Sequence, residues 1–392
     1  MDLDIDQHVF FELLRAGLWR DQRPVQAFKS SRVRDSVDWE NVYQLAQEQS
    51  AQGLVLQGIE CFKNHNDNPH LNVNIPQMLL LQWIGEVQMI EQQNKAMNAF
   101  IADLIEKLQK ENVYAVLVKG QGIAQCYEKP LWRSCGDVDL LLNSDNYKKA
   151  KQNLLPLASD VAEEDVKRKH LALTIDNWTT ELHGTLHTNL WSSLEQVMDD
   201  ILQDVFYGGY VTSLEFKEPS MGSTVQVSLP RADENVVFVF AHILQHFYIE
   251  GIGLRQICDW CRLLWTYKDS LNHGLLESRI RKAGMLREWK VFAAFAAEYL
   301  GMPADSIPFY NNSKYWKRKA NIVLTLVLES GNFGQGKDKS YKQKYHKTIR
   351  YCISFGLHAK DTFRRFCLFP THALIMWWKL MMLVLMNEVR GK

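Results

Sequence analysis

The feature that most constrains the fold of this chain is a change in hydrophobic period partway along it. Apolar residues recur at helical spacing through about the first hundred residues, and again from Arg231 to the end. Between these stretches lie short runs rich in β-branched and aromatic residues, which favour strands. The pattern predicts an α+β fold, in which a small mixed β-sheet with flanking helices lies between helical N-terminal and C-terminal regions.

Three regions follow from this change in period, since 392 residues exceed what one small core needs. We expect an N-terminal helical region at 1–111, an α/β core at 112–230 and a C-terminal helical region at 231–392. The predicted strands are 113–118, 138–142, 171–175, 179–182, 210–216 and 224–229, and Ser144 is expected to cap the helix after the second strand. The predicted C-terminal helices are 232–249, 254–268, 274–300, 315–329, 343–366 and 372–389.

The charge balance and the cysteine pattern limit the classes of function. The formal net charge is zero, so no global basic field attracts nucleic acid, although a local basic patch stays open. The seven cysteines show no regular spacing, and the acidic N-terminus does not have the apolar segment of a signal peptide. We therefore expect reduced thiols and a cytoplasmic location.

The segment 372–386 raises the question of a membrane. It is apolar except for His372 and Lys379, and it is shorter than the roughly 20 residues that a spanning helix needs. A helix lying in the membrane interface needs a strongly polar face, which this segment does not offer. We expect it to be buried among other helices, with Lys379 extending to solvent and without stable membrane insertion.

Two aspartates on the second predicted strand are the strongest candidates for catalysis. Residues two apart on a strand face the same side, so Asp137 and Asp139 would project together while Val138 enters the core. Adjacent carboxylates repel each other and raise each other's pKa, which a bound cation relieves. Oxygen ligands of this kind select Mg²⁺ or Mn²⁺, and such ions serve phosphoryl and nucleotidyl transfer.

A third carboxylate is expected from a neighbouring strand. Glu181 is the best candidate, because it lies in an alternating polar and apolar run and shares its strand face with His183. Glu181 would then act as metal ligand or general base. His183 would orient a phosphate or the acceptor.

Groups that bind phosphate are expected close to the first strand. The Lys119-Gly120 pair ends that strand and opens a helix, where backbone N–H groups bind anions and glycine permits close approach. Lys119 adds a point charge. Arg133 offers a bidentate fork that either binds phosphate oxygens or holds an aspartate in place.

This ordered set resembles a known family. Lys-Gly, then Arg-x-x-Gly-Asp-Val-Asp-Leu-Leu from Arg133, then a downstream Glu-Leu-His at Glu181, is similar to the bacterial uncharacterised nucleotidyltransferases. These belong to the polymerase-β-like superfamily, and the first part also resembles nucleotidyltransferases of the abortive-infection type. The resemblance is close over residues 113–190. In the superfamily the phosphate loop usually reads Gly-Ser or Gly-Gly, whereas here Gly120 precedes Gln121.

The resemblance assigns roles to individual residues. Asp137 and Asp139 match the metal-binding aspartates of the family, Glu181 its third acid and Gly120 its phosphate-loop glycine, so the three acids are expected to be both catalytic and metal-binding. The nucleotide-binding residues are expected to be Lys119, Gly120, Arg133, Gly136 and His183.

The function that the resemblance implies is transfer of a nucleotidyl group from an NTP to an unknown acceptor, with Mg²⁺ or Mn²⁺ as cofactor. The acceptor is a small molecule, a nucleic acid or a protein. Two alternatives stay open. One is a nucleotide-binding module without catalysis, and the other is a metal-dependent phosphohydrolase that combines the same acids with His170, His183 and His187.

A further group of polar residues follows the predicted strands. His242 and His246 lie one helical turn apart, with Glu250 a turn beyond, and form either a polar stripe against another helix or one wall of the cleft. Arg255 and Asp259 are spaced for an i, i+4 pair on the next helix.

Overall fold

The computed structural model describes residues 3–19, 37–63, 74–217, 224–249, 251–331 and 360–389. Glu250 and most of the helix predicted at 343–366 lie outside these residues. The described helices are α1 (Ile5–Trp19), α2 (Trp39–Glu48), α3 (Gln52–Lys63), α4 (Gln77–Lys110), α5 (Gly120–Ala124), α6 (Ser144–Leu154), α7 (Ser192–Tyr207), α8 (Ala232–Ile249), α9 (Leu254–Tyr267), α10 (His273–Lys282), α11 (Leu286–Glu298), α12 (Lys314–Ser330) and α13 (Pro370–Val389), and residues 360–368 are helical as well.

The described strands form one mixed sheet. They are β1 (Val116–Val118), β2 (Asp137–Leu141), β3 (Asp160–Val161), β4 (His170–Ile175), β5 (Trp178–His183), β6 (Val211–Lys217) and β7 (Thr224–Pro230), in the order β3-β4-β5-β2-β1-β7-β6. The β1–β7 and β2–β5 pairs are parallel and the other pairs are antiparallel. The predicted α+β class is confirmed, and helices come both before and after the strands in the sequence.

Two local expectations are wrong. The cap of α6 is Asn143 and not Ser144, since the Asn143 side chain accepts a hydrogen bond from the backbone N–H of Asn146. The single helix predicted at 274–300 is two helices, α10 and α11. Gly284 separates them with a φ of +73°, a left-handed conformation that ends a helix and that glycine adopts readily.

The two faces of the sheet have different character. One face packs apolar residues, among them Leu117, Leu140 and Leu182, against α4 and α6. The opposite face turns towards the helices of the C-terminal region, and there alternate strand positions carry carboxylates and imidazoles. The polar residues of the predicted site therefore share one face of the sheet. Their neighbours in sequence point to the other face, where they are buried in the apolar core.

Helices from the two ends of the chain share a single core. The Arg15 side chain on α1 donates to the backbone carbonyls of Tyr299 and Glu298, at 2.9 and 2.6 Å. The Trp19 indole donates to the Leu300 carbonyl. These contacts tie the first helix to the end of α11 and to the two residues that follow it, so the N-terminal and C-terminal helical regions pack on each other as well as on the sheet.

The part of helix α13 whose side chains the structure describes, residues 370–379 with 381 and 382, is buried on one side only, contrary to the expected burial all round. Ala373 and Met376 belong to the helical core, but Trp378 is 62% exposed. Lys379 is exposed, as expected, and its Nζ also donates to the backbone carbonyl of Leu190. Among the residues that the structure describes, no helix has the length and apolar character that crossing a membrane requires.

Glycines allow α1 and α3 to cross with their backbones in contact. A Cβ atom at Gly17 would lie 2.0 Å from the Leu54 carbonyl oxygen, and one at Gly58 would lie 2.0 Å from the Leu13 carbonyl oxygen. Each helix therefore presents a glycine where a carbonyl group of the other approaches. Any side chain at either position would force the helices apart.

Gly58→Ala should lower the free energy of unfolding by about 1–3 kcal/mol, since the added methyl group meets a rigid backbone carbonyl. Gly85→Ala in α4 is the matched control, because a Cβ atom there meets no atom within 4 Å. That substitution should raise stability by up to about 1 kcal/mol through helix propensity. Chemical denaturation measures both effects, and similar values for the two variants would contradict the close crossing.

Candidate active site

The register of the sheet brings the three predicted acids together. In the parallel β2–β5 pair, Asp139 lies directly beside Glu181, and Asp137 is two residues before Asp139 on the same face. One carboxylate oxygen from each of the three lies within 4.8 Å of the other two. The structure thus assembles a three-carboxylate group from residues that are up to 44 positions apart, counted from Asp137 to Glu181.

Asp139 is the most enclosed of the three acids and is contacted by the side chains of Lys119 and His183. It is 2% exposed. Its Oδ1 atom lies 2.8 Å from Lys119 Nζ and 2.7 Å from His183 Nε2. Lys119 and His183 therefore both contact a metal-ligand candidate, and their predicted roles in nucleotide binding stay predictions.

The two aspartates differ in electrostatics although they are two residues apart. The negative charge of Asp139 is the main cause that raises the pKa of Asp137, and burial adds to the shift. Burial also opposes ionisation of Asp139, but Lys119 and His183 outweigh burial and lower the pKa of Asp139. The charge of Asp139 is thus balanced by its contacts with Lys119 and His183, whereas Asp137 carries a charge that its surroundings disfavour.

Glu181 has a neighbour that the resemblance did not indicate. His170 Nε2 lies 3.1 Å from Glu181 Oε2, and His183 Nε2 lies 3.3 Å from the same oxygen. Burial opposes ionisation of Glu181, yet the hydrogen bonds from His170 and His183 outweigh burial and hold the pKa of this carboxyl well below its usual range. His170 entered the sequence-based alternatives only as part of a phosphohydrolase site.

These residues line a cavity of about 320 Å³ between the sheet and helices α8 and α9. The helical wall includes His242 and His246, whose Nε2 atoms lie 2.9 Å apart. The polar stripe on α8 is therefore part of the cleft wall. Burial lowers the pKa of His242 well below its ordinary value, and the nearby Lys119 lowers it further, which favours neutral imidazole. Arg168 and His187 also line the cavity.

Arg133 is anchored to the helical region by a buried ion pair. Its Nε and Nη2 atoms donate to the two carboxylate oxygens of Asp259, at 2.8 and 2.7 Å, and both side chains are 6% exposed. The Tyr127 hydroxyl donates to Asp259 at 2.7 Å. One of the two roles expected of Arg133 was to hold an aspartate in place. Arg133 does so, and the aspartate is Asp259 on α9. A contact of Arg133 with phosphate stays a prediction.

Two buried amides fix the loop that carries Arg133. Asn94 on α4 donates to the carbonyls of Leu131 and Arg133, at 2.8 and 2.7 Å. The Gln121 amide in turn donates to Asn94 Oδ1 at 2.7 Å. Gln121, which departs from the family's phosphate loop, therefore has a structural partner. Sequence reasoning missed Asn94. It could have been found as a polar residue that interrupts the apolar stripe of Val87 and Ile101 on α4.

The Lys119-Gly120 turn lies at the end of β1, as predicted. Lys119 has a φ of +56° and Gly120 a φ of +34°. A Cβ atom at Gly120 would meet Cys135 Sγ at 3.1 Å, so the position is also sterically tight. Helix α5 after this turn has only five residues. Gly136 has open space around it, since a Cβ atom there would meet nothing within 4 Å. Phosphate binding by Gly120 and Gly136 stays a prediction.

A family model described as "Uncharacterised nucleotidyltransferase" matches residues 35–301. This range contains every site residue named above, from Asn94 to Asp259. No curated protein and no solved structure matches the chain.

Arg133→Met should lower the free energy of unfolding by about 3–5 kcal/mol, because it removes the guanidinium that binds both oxygens of the buried Asp259 carboxylate. Arg281→Met is the matched control, since Arg281 pairs with Glu277 on the exposed surface of α10. Its effect should stay below about 0.5 kcal/mol. Urea unfolding of both variants measures the difference. A loss of stability no larger for Arg133→Met than for the control would show that the buried pair does not anchor this loop.

Proposed function

Because the chain belongs to the family of uncharacterised nucleotidyltransferases, we propose that it transfers a nucleotidyl group from an NTP to an acceptor, aided by a divalent cation. Asp137, Asp139 and Glu181 would hold the cation. The single observation that carries this proposal is the convergence of the three carboxylates on one wall of the cavity. The acceptor is a small molecule, a nucleic acid or a protein.

The donor set fits a hard divalent cation. All three ligands are carboxylates, the groups that Mg²⁺ and Mn²⁺ prefer. The repulsion that raises the pKa of Asp137 is the kind of excess negative charge that a bound cation relieves. When bound, such a cation polarises a phosphoryl oxygen and stabilises the negative charge that develops during transfer.

The protein side chains would bind and orient the substrates. Lys119 is placed to balance charge at Asp139 and at a phosphate group entering the cavity. Glu181 would act as a metal ligand or as a general base for an attacking hydroxyl. Its lowered pKa keeps it ionised at neutral pH, which favours the role of metal ligand. The neutral imidazole of His242 offers a hydrogen-bonding group on the opposite wall.

The carboxylate assignment predicts the behaviour of a double variant. Asp137→Asn with Asp139→Asn should abolish metal-dependent NTP binding and pyrophosphate release while keeping the fold, because asparagine preserves shape and removes charge. Asp199→Asn is the control, since Asp199 lies on α7 and pairs with His187. Calorimetry with Mg²⁺ or Mn²⁺ and each NTP tests binding. Wild-type binding in the double variant would contradict the carboxylate assignment. Release of phosphate from simple esters without NTP turnover would contradict the transferase function and favour a phosphohydrolase.

Lys119 should contribute to NTP binding and not to binding of the cation. Lys119→Met is expected to weaken NTP binding by about 1–3 kcal/mol, the range for loss of a charge-assisted hydrogen bond. Affinity for Mn²⁺ without nucleotide should stay equal or increase, because a positive charge beside Asp139 is removed. Lys95→Met, at an exposed pair on α4, is the control. Weaker Mn²⁺ binding with unchanged NTP binding would reverse the role given to Lys119.

A further inference from the structure

Two histidines on neighbouring strands direct ring nitrogens at the same carboxylate oxygen. His170 Nε2 and His183 Nε2 lie 3.1 and 3.3 Å from Glu181 Oε2. The three residues each offer one ligand atom, and these atoms lie within 4.8 Å of one another. Glu181 is therefore a member of two sets of ligands, one made of carboxylates alone and one with two imidazoles.

The two imidazoles contact the Glu181 carboxylate as hydrogen-bond partners, and His183 Nε2 also lies 2.7 Å from Asp139 Oδ1. The separations of these atoms also suit coordination of one cation, which would replace the hydrogen bonds. Ligands bound to one cation at about 2.0–2.1 Å are separated by about 3.0 Å along an octahedral edge and about 3.4 Å along a tetrahedral one. Distances of 3.1 and 3.3 Å fall between these two values.

The sheet itself fixes this arrangement. His170 and His183 are directly paired in the antiparallel β4–β5 ladder, and Glu181 is two residues before His183 on the same face. The rings of the two histidines lie with centroids 4.8 Å apart. Both histidines and Glu181 also line the cavity, so a cation would reach them from the same space as a nucleotide.

We propose that His170, Glu181 and His183 form a second cation site, which takes a borderline divalent transition metal such as Zn²⁺ beside the carboxylate site. Imidazole nitrogen suits Zn²⁺ and is a poor match for Mg²⁺. The inference rests on the proposed function only in sharing Glu181 with the site proposed there. Glu181 bridges the two sites, and Asp137 belongs to the carboxylate set alone.

The test measures Zn²⁺ binding to the full chain by calorimetry in excess Mg²⁺, and X-ray absorption of the zinc-loaded protein. We expect one Zn²⁺ bound despite the Mg²⁺, with the scattering pattern of two imidazole ligands. An oxygen-only coordination shell, or displacement of Zn²⁺ by Mg²⁺, would overturn the proposal. Neither readout depends on nucleotidyl transfer, so failure of the proposed function leaves this result interpretable.

Variants assign the ligands. His170→Gln keeps an amide near Glu181 but removes the imidazole, and Zn²⁺ affinity should fall at least about tenfold. His170→Asn serves as a second variant, and thermal unfolding checks that both fold. His187→Gln is the matched control, since His187 lines the same cavity and pairs with Asp199. Wild-type Zn²⁺ affinity in folded His170→Gln and His170→Asn, or an equal loss in His187→Gln, would overturn the assignment.

The two cation sites are separable by one further substitution. Asp137→Asn should weaken Mg²⁺ or Mn²⁺ binding while Zn²⁺ binding with two imidazoles is kept, because Asp137 is not in the histidine set. Loss of zinc together with magnesium would show one shared site and overturn the second site.

Discussion

The site depends above all on the parallel pairing of β2 with β5. This pairing places Asp139 beside Glu181, and the antiparallel β4–β5 ladder then adds His170 beside His183. Side chains alternate between the two faces of a strand. A slip of one residue in either pairing would therefore point one of the paired polar side chains into the apolar core. Leu140 and Leu182, fully buried on the other face, oppose such a slip. The packing of the core thereby sets the geometry of the polar face.

The sheet alone does not close the site, and the helical regions supply the remaining wall. The buried pair between Arg133 and Asp259 joins the loop before β2 to α9, while Asn94 on α4 holds the same loop from the N-terminal side. Since α1 packs on the residues after α11, the two ends of the chain support each other around the sheet. The cavity is thus a product of all three parts of the chain.

The elements that could be predicted from the sequence are those fixed by local pattern. The strand period placed Asp137 and Asp139 on one face, and the strand alternation around Glu181 identified the third acid. Contacts between distant residues could not be read in this way. Asp259 is 126 positions from Arg133, and its helical spacing pointed only to its neighbour Arg255, so the pair with Arg133 was not predicted. The break at Gly284 was missed because apolar periodicity continues across it.

The two aspartates of the Asp-x-Asp motif have pKa values shifted in opposite directions, and the sequence motif alone does not reveal this difference. Asp139 is surrounded by Lys119 and His183, so its charge is balanced by the protein. Asp137 is buried to a lesser degree and has its pKa raised chiefly by Asp139. A cation bound at the proposed site would therefore gain most from Asp137, whose charge has the least compensation, and would compete with Lys119 at Asp139. Lys119 and His183 hold Asp139 in position, and a bound cation would complete the charge balance at Asp137.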